Sequence, residues 1–348
     1  MSEKIVVIER LYELYKAGDV VDGIVTSPMI VEAIKFTKVG LGQANQANFL
    51  KDIIRTTRAN TNWPESLKKE RMTARQRYGS RRVFQFRPYA EDQTVPFPDR
   101  VFPISTTPIH SSQSASISSV ARQLGRTDET WLIQVAVNLR LIESQLSIFS
   151  PDSDRLRDVE HLQIGIKGTS EIDATFLVSY ESETEPDSVL YLLITCEAKQ
   201  LDERILEDQI REQVAVAMES NKRLDRPYIG GVKPMAIKVV WGEFEGQPEK
   251  MIFVAEFEAI SRDVFADQWS PSQKGKKYDA TSEKLYDMPL NVSSLALYRI
   301  VPPVGGLNLV VKKKPEPVKS KAMRVKPSLR SKATKASRGR VESSELLK

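Results

Sequence analysis

Two segments of this chain place ionisable residues at the edges of apolar runs. Segment 171–176 contains Asp173, and segment 192–199, Leu-Leu-Ile-Thr-Cys-Glu-Ala-Lys, ends in Glu197 and Lys199. Because side chains alternate along a strand, Glu197 and Lys199 are expected on one face. Charges at the end of a buried strand cost free energy unless they are paired or bind a metal. The pattern therefore favours a functional site over its alternative, a strand-end ion pair with Asp173 in a turn.

The residue types suit a magnesium site. A carboxylate on the neighbouring strand, Asp173, is expected to share a divalent ion with Glu197, because Mg²⁺ prefers oxygen ligands and keeps several waters. Such an ion lowers the pKa of a bound water, and Lys199 is expected to orient or stabilise the attacking hydroxide. This chemistry suits hydrolysis of a phosphodiester.

In these residues the chain resembles the PD-(D/E)XK nuclease superfamily, the fold of most type II restriction endonucleases. The matching residues are Asp173, Glu197, Ala198 and Lys199. The resemblance covers roughly residues 127–257, and Ile172 stands where the family name has proline. It implies a restriction-endonuclease-like core, Mg²⁺ as cofactor, the backbone carbonyl of Ala198 as a further metal ligand, and cleavage of double-stranded DNA to 5′-phosphate and 3′-hydroxyl ends.

Four further residues are weaker candidates. Glu143 flanks the apolar stripe of the preceding helix and is a possible additional metal ligand, although a solvated position on that helix is the more common role. Gln209 and Gln213 lie four residues apart on the helix after the lysine, where a polar residue often approaches such a site; capping or surface roles are the alternative. Glu171 alternates onto the face of Asp173 and either assists it or is simply exposed.

The elements that must position these residues follow from apolar periodicity. Thr127 or Asp128 can cap an amphipathic helix whose apolar residues recur at spacings of three and four. Those residues are Leu132, Val135, Leu139, Ile142, Leu146 and Phe149. Strands are predicted at 162–167, 172–180, 189–196, 236–241 and 251–257, with a helix at 202–220. This order predicts an α/β (α+β) fold, a mixed sheet flanked by helices.

The N-terminal part predicts a separate module. Residues 1–90 are mostly helical in pattern, then a basic stretch and a strand follow, as in a winged-helix-like DNA-recognition module. Between Lys51 and Arg87 there are 11 Lys or Arg against 3 Asp or Glu. Arg75, Gln76 and Arg77 suit base edges. The residues suited to phosphates are Lys68, Lys69, Arg81 and Arg82. A basic surface without a specific partner is the alternative.

Composition sets the remaining boundaries. At 348 residues, 41% hydrophobic and 28% charged, the chain is long enough for a catalytic domain plus a smaller module. We predict a linker at 91–119, a nuclease domain at 120–300, and a disordered basic tail at 311–348 with 13 Lys or Arg against 3 Glu. The single cysteine, Cys196, excludes an internal disulfide and fits a reducing cytoplasm. No apolar run approaches the roughly 20 residues that cross a bilayer, so no membrane partner is expected.

Together these features predict a sequence-specific, type II restriction endonuclease that acts on double-stranded DNA. If it cuts both strands of palindromic sites, symmetry implies a homodimer. Two alternatives stay open: a non-catalytic DNA-binding regulator built on the same scaffold, and a repair or junction nuclease of the same fold. Nucleotide-driven translocation has no support, since no GxxxxGK[ST] loop occurs.

Overall fold

The computed structural model describes residues 3–42, 46–77, 81–166, 171–182, 188–223, 228–269 and 283–307. The predicted tail at 311–348 lies outside these residues. Within residues 1–310 the chain forms a single compact unit. This unit contains a small N-terminal part and a larger part built around a mixed sheet.

The N-terminal part places helices around a short antiparallel sheet. Its elements are α1 (Glu3–Lys16), β1 (Ile24–Thr26), α2 (Ser27–Thr37), α3 (Lys51–Ile54), α4 (Glu65–Lys69), β2 (Met72–Gln76) and β3 (Arg82–Pro88). The strand order is β1-β3-β2, with both pairs antiparallel. Apolar side chains from Val7 to Phe97, including the fully buried Trp63, form its own hydrophobic core. Helices thus precede an antiparallel pair of strands, β2 and β3, in this part of the chain.

The larger part is mixed α/β, a mixed sheet flanked by helices. Its helices are α5 (Ser119–Gln123), α6 (Glu129–Asn138), α7 (Leu141–Ile148), α8 (Glu207–Arg223), α9 (Arg262–Val264) and α10 (Glu283–Tyr286). Its strands are β4 (Ile109–Gln113), β5 (Leu156–Ile166), β6 (Ile172–Glu181), β7 (Val189–Lys199), β8 (Ile229–Phe244), β9 (Gln247–Phe257), β10 (Ile260–Ser261) and β11 (Val292–Val301).

The sheet has the order β4-β11-β9-β8-β7-β6-β5, and β10 pairs with the start of β8. Only β7–β8 and β4–β11 are parallel pairs in this order. The β7-α8-β8 segment is therefore a βαβ unit, which needs a helical crossover to bring two parallel strands side by side. The two faces are covered by different helices: α6 and α7 pack on one, and α8 and α10 on the other.

The linker prediction for residues 91–119 is wrong in its second half. Residues Ile109–Gln113 form β4, which runs parallel to β11 at one edge of the main sheet. The segment lacks a clear period because edge strand β4 is mostly exposed, with Ser112 as its buried residue. An alternation of apolar side chains marks a strand only where one face is buried.

The apolar stripe predicted as one helix is divided between two. Of the two predicted caps, Thr127 and Asp128, the Asp128 side chain caps α6 by accepting a hydrogen bond from the Trp131 N–H at 2.8 Å. The chain then breaks at Arg140, whose φ of 52° lies in the left-handed region, before α7 begins. Leu132 and Leu146 nevertheless share one hydrophobic cluster. The apolar residues keep their spacing of three and four across Arg140 because both helices pack on the same face of the sheet.

Candidate functional site

Asp173 and Glu197 meet where β6 and β7 separate. The antiparallel register of the two strands ends at the pair of Ala174 and Cys196. One residue further, the Asp173 carboxylate accepts a hydrogen bond from the Ala198 N–H at 2.8 Å, in place of a backbone carbonyl. Asp173 is therefore in a strand and beside Glu197, not in a turn.

Glu197 is held on both of its oxygens. Its Oε1 accepts a hydrogen bond from Lys199 Nζ, and its Oε2 accepts one from Gln213 Nε2 on α8. Glu197 and Gln213 are 0% exposed and Lys199 is 5% exposed. The alternation predicted for β7 is thus present, since Cys196 and Ala198 pack into the cluster under α6 while Glu197 and Lys199 face α8.

Glu197 and Lys199 form an ion pair, which is compatible both with a functional site and with a purely structural pair at the end of the strand. This pair leaves the Asp173 carboxylate without a cation of its own. Burial raises the pKa of Asp173 to about 7, and the charge of Glu197 adds to this effect against Lys199 and the Ala198 N–H. Burial acts to lower the pKa of Lys199, but the carboxylates of Glu197 and Asp173 outweigh it and raise the pKa. Two carboxylates facing one ammonium form an environment in which an added cation is favoured.

Sequence reasoning missed two acids and a base beside this site. Glu129, in the first turn of α6, acts electrostatically on both Asp173 and Glu203. Burial raises the pKa of Glu203, and Glu129 adds to that shift against the Gln200 N–H, which donates to Glu203 at 3.0 Å. Lys238 lies beside Lys199 in the parallel register and donates to the Glu203 carbonyl. Acids in first turns are common because they interact well with the helix dipole, so Glu129 had no distinguishing signal.

The weaker candidates have separate outcomes. Gln213 contacts Glu197 and also donates to the backbone carbonyl of Glu171 at 2.9 Å, while the Glu171 side chain is exposed. Gln209 is buried on the same helix. Glu143 lies on α7, and burial raises its pKa against the opposing charge of Arg140. No hydrogen bond joins Glu143 to Asp173, Glu197 or Lys199 within the described residues.

A metal fits this site only as a two-carboxylate centre. Among the described residues, no group of three or more His, Cys, Asp or Glu side chains has the arrangement to hold a metal ion. Asp173 and Glu197 supply hard oxygen ligands, and Mg²⁺ is commonly bound through one or two carboxylates with waters and substrate phosphates completing its shell. The donor set present is therefore compatible with Mg²⁺ and unsuited to a metal that needs nitrogen or sulfur ligands.

The residues expected to contact bases occupy positions that differ from that prediction. Gln76 and Arg77 are 6% and 3% exposed. Arg77 donates to Gln85 and Glu283, Gln76 donates to the Ala47 carbonyl, and Arg75 pairs with Asp208 and Glu283. A side chain that reads base edges on a duplex must reach the surface, so direct groove contacts by Gln76 and Arg77 are incompatible with this conformation.

The residues expected to contact phosphates lie at the surface. Lys69 and Arg81 are exposed, while Lys68 and Arg82 are half-buried. Lys68 is paired with Glu65 three residues earlier. Exposed basic side chains of this kind are able to approach a phosphate backbone without rearrangement of the core.

A comparison of the chain with protein-family models, with curated proteins and with solved structures returns no match. None of the helices in the described ranges combines the length and the apolar character needed to span a membrane. The functional conclusion therefore rests on the residues and their geometry.

Proposed function

We propose that this protein is a Mg²⁺-dependent endonuclease that hydrolyses phosphodiester bonds of double-stranded DNA, with a restriction-endonuclease-like core. The observation that carries the proposal is the meeting of Asp173 and Glu197 on adjacent strands, with Lys199 on the same buried face. A site-specific activity and a homodimeric assembly are the further expectations of this proposal, by analogy with the family that the motif resembles.

The side chains would divide the work as follows. Asp173 and Glu197 would hold Mg²⁺, with the Ala198 carbonyl as a further ligand by analogy. When bound, the ion neutralises phosphate charge and lowers the pKa of a bound water. The Ala198 N–H fixes the Asp173 carboxylate, and Gln213 fixes Glu197. Lys199, oriented by Glu197, supplies a positive N–H donor for the attacking water or for a phosphate oxygen.

Incubation of plasmid DNA with the full chain tests this proposal. We expect discrete fragments with Mg²⁺ and none with EDTA. The variants Asp173→Asn, Glu197→Gln and Lys199→Met should each lose at least about 100-fold of the cleavage rate, a loss typical when one charge-stabilising group is removed. Glu160→Gln is the matched control, because Glu160 is exposed on β5 and contacts none of these residues.

Three outcomes separate the alternatives. DNA that stays intact but shifts in a gel would contradict an enzyme and favour a binding regulator. Cleavage confined to branched substrates would favour a junction nuclease over a restriction enzyme. Normal cleavage by Asp173→Asn would show that the site lies elsewhere.

A further inference from the structure

A large cleft lies where β2 and β3 of the N-terminal part face the start of α8. Its volume is about 830 Å³, and its wall includes residues from both parts of the compact unit. Volumes of 300–1,000 Å³ are typical of small-molecule and cofactor sites. The cleft is separate from the Asp173–Glu197 pair, although α8, which forms part of its wall, also carries Gln213.

The cleft carries a surplus of positive charge. Six basic and four acidic residues line it. Two of the basic residues, Arg204 and Arg211, are fully engaged in contacts within the protein. Arg204 pairs with Asp99 and donates to the carbonyls of Ile54, Phe97 and Pro98. Arg211 pairs with Glu207 and Asp208 and donates to the Met288 carbonyl. The other four basic residues retain accessible charge.

Those four basic residues differ in how firmly they are paired. Arg75, Arg87 and Arg100 each pair with a carboxylate. Their side chains nevertheless stay partly accessible to solvent: those of Arg75 and Arg100 are each 25% exposed, and that of Arg87 is 36% exposed. The Lys51 ammonium has no ion-pair or hydrogen-bond partner within the described part of the chain. A ligand with one or two negative charges would balance the surplus of positive charge in the cleft. A phosphate monoester carries about −1.5 to −2 charges near neutral pH.

Two buried amides line the same cleft with an oxygen that lacks a donor. Gln76 and Gln209 are 6% and 7% exposed, and the Oε1 atom of each is buried without a hydrogen-bond partner. The Gln76 amide is oriented, because its Nε2 already donates to the Ala47 carbonyl at 2.9 Å. Leaving a buried acceptor unsatisfied costs about 1–3 kcal/mol, so a ligand that brings N–H donors is favoured here.

The rest of the wall suits a flat apolar surface. Pro88, Tyr89, Pro96 and Phe97 lie on the side of the N-terminal part, and Ile205 and Leu206 on the other. Aromatic and aliphatic walls of this kind accept the face of a heterocycle. The cleft thus combines cations for a phosphate, acceptors for amino groups and apolar walls for a ring.

We propose that this cleft binds a nucleotide whose base carries an exocyclic amino group, with the phosphate near Lys51 and the amino group facing Gln76 or Gln209. The nucleotide is either free or part of a DNA strand from which it is turned out of the stack. In both forms the chemistry recognised is the same. The proposal does not depend on DNA cleavage, and it gives buried Gln76 a role in base recognition that a closed duplex could not.

Calorimetric titration of the full chain in EDTA tests this proposal independently of cleavage. The probes are dCMP, dTMP, deoxycytidine and inorganic phosphate. The bases of dCMP and dTMP differ at the 4-position as amino donor or carbonyl acceptor, at N3 as acceptor or N–H donor, and in the 5-methyl group of thymine. We expect dCMP to bind at least about fivefold more tightly than dTMP, which corresponds to one satisfied buried acceptor. Deoxycytidine should bind more weakly than dCMP because it lacks the phosphate.

Variants assign the two halves of the ligand. Lys51→Met should weaken dCMP and leave deoxycytidine unchanged, whereas Gln209→Met should narrow the preference for dCMP over dTMP. Lys35→Met is the matched control, because Lys35 is exposed on α2 and does not line the cleft. Circular dichroism of each variant verifies that the fold is retained.

Short oligodeoxycytidine and oligodeoxythymidine separate the two sources. Binding of dCMP as tight as that of the oligomer indicates a free nucleotide. Binding of the oligomer alone, lost in Lys51→Met and Gln209→Met, indicates a nucleotide within a strand. The proposal is overturned if neither form binds, if dTMP binds as well as dCMP, or if binding is unchanged in both cleft variants.

Discussion

The energetics of the candidate site depend on a carboxylate that the fold does not fully compensate. Glu197 receives two hydrogen bonds from Lys199 and Gln213, and these offset the cost of burying its charge. Asp173 receives only the Ala198 N–H within the described contacts, and it also faces Glu197. Without a bound cation, the buried Asp173 carboxylate therefore makes the folded protein less stable than a neutral or apolar side chain at this position would.

This imbalance predicts that Asp173→Asn stabilises the protein in EDTA. The folded-state pKa of Asp173 is about 7, above the usual value of about 3.9 in an unfolded chain. Its contribution to stability is therefore intact at low pH and is lost as the pH rises toward and through 7. Asparagine keeps an acceptor for the Ala198 N–H and carries no charge. We expect a higher melting temperature for the variant at about pH 8 and little difference at about pH 4.

Magnesium provides the complementary measurement. A ligand that binds only the folded state raises its stability, so Mg²⁺ should raise the melting temperature of the native chain more than that of Asp173→Asn. Equal responses would argue against Asp173 as a metal ligand. A variant less stable than the native chain at about pH 8 would argue that the Asp173 carboxylate is well compensated.

If the proposed site binds Mg²⁺, Gln213 is expected to position Glu197, to which its side chain donates a hydrogen bond. Gln213→Leu removes the donor to Glu197 Oε2 while keeping similar bulk on α8. We expect a cleavage rate at saturating Mg²⁺ about tenfold lower, from the loss of a hydrogen bond to a charged group. The Mg²⁺ concentration for half-maximal activity should also rise, an effect that general loosening of α8 would not produce. Gln123→Leu, at an exposed position on α5, serves as the control.

At the scale of elements, the apolar residues that precede the site in sequence lie on two helices, α6 and α7, separated by Arg140 in a left-handed backbone conformation. Arg140 is exposed and adopts a φ of 52° between α6 and α7. For an L-residue this conformation costs roughly 1–2 kcal/mol, while glycine adopts it freely. Residues of both α6 and α7 pack in the same cluster on one face of the sheet, and Glu129 lies in the first turn of α6.

Arg140→Gly should therefore stabilise the protein. Glycine removes the free-energy cost of the left-handed backbone conformation, and this gain exceeds the cost of the larger conformational entropy that glycine has in the unfolded chain. We therefore expect the free energy of unfolding to rise by about 0.5–1 kcal/mol. The same change at Gln134, an exposed position inside α6, should cost about 1 kcal/mol. Urea denaturation measures both. A loss of stability in both variants would mean that the stripe continues through an ordinary helical residue at 140.

At the scale of the whole molecule, the N-terminal part contacts the loop that follows β7. The Arg204 N–H donates to the Arg55 carbonyl at 2.7 Å, and the Arg204 guanidinium binds the Ile54, Phe97 and Pro98 carbonyls. Glu283, at the start of α10, pairs with Arg75, Arg77 and Arg87 of the N-terminal part. Basic residues that the sequence assigned to DNA thus also join the two parts.

The basic segment 311–348 belongs to this scale because its predicted role is long-range. It contains 13 Lys or Arg against 3 Glu. Its removal should weaken DNA binding at low salt and flatten the dependence of affinity on salt, because fewer counterions are released. Fluorescence anisotropy over a series of salt concentrations measures the slope. A chain with the same segment but neutral residues at the basic positions should match the deletion; an unchanged slope in both would exclude contact with DNA.

The sequence alone indicated the order of the central helices and strands along the chain, a cap at Thr127 or Asp128, and the common face of Glu197 and Lys199. These features are local: alternation and helical spacing arise within one element and can be read from it. The sequence also predicted a mixed sheet flanked by helices, which the structure shows.

Only the tertiary structure decided which distant groups meet. Glu129, Glu203 and Lys238 come to the site from three different segments. Gln76 and Arg77 are buried, Arg75 and Arg77 pair with Glu283, and Arg75 also pairs with Asp208 on α8. A basic residue in a sequence has the same charge whether it faces solvent or a carboxylate. The difference is set by packing between elements far apart in the chain. That packing places Arg75 and Gln76, which were predicted to contact DNA bases, in the wall of a cleft.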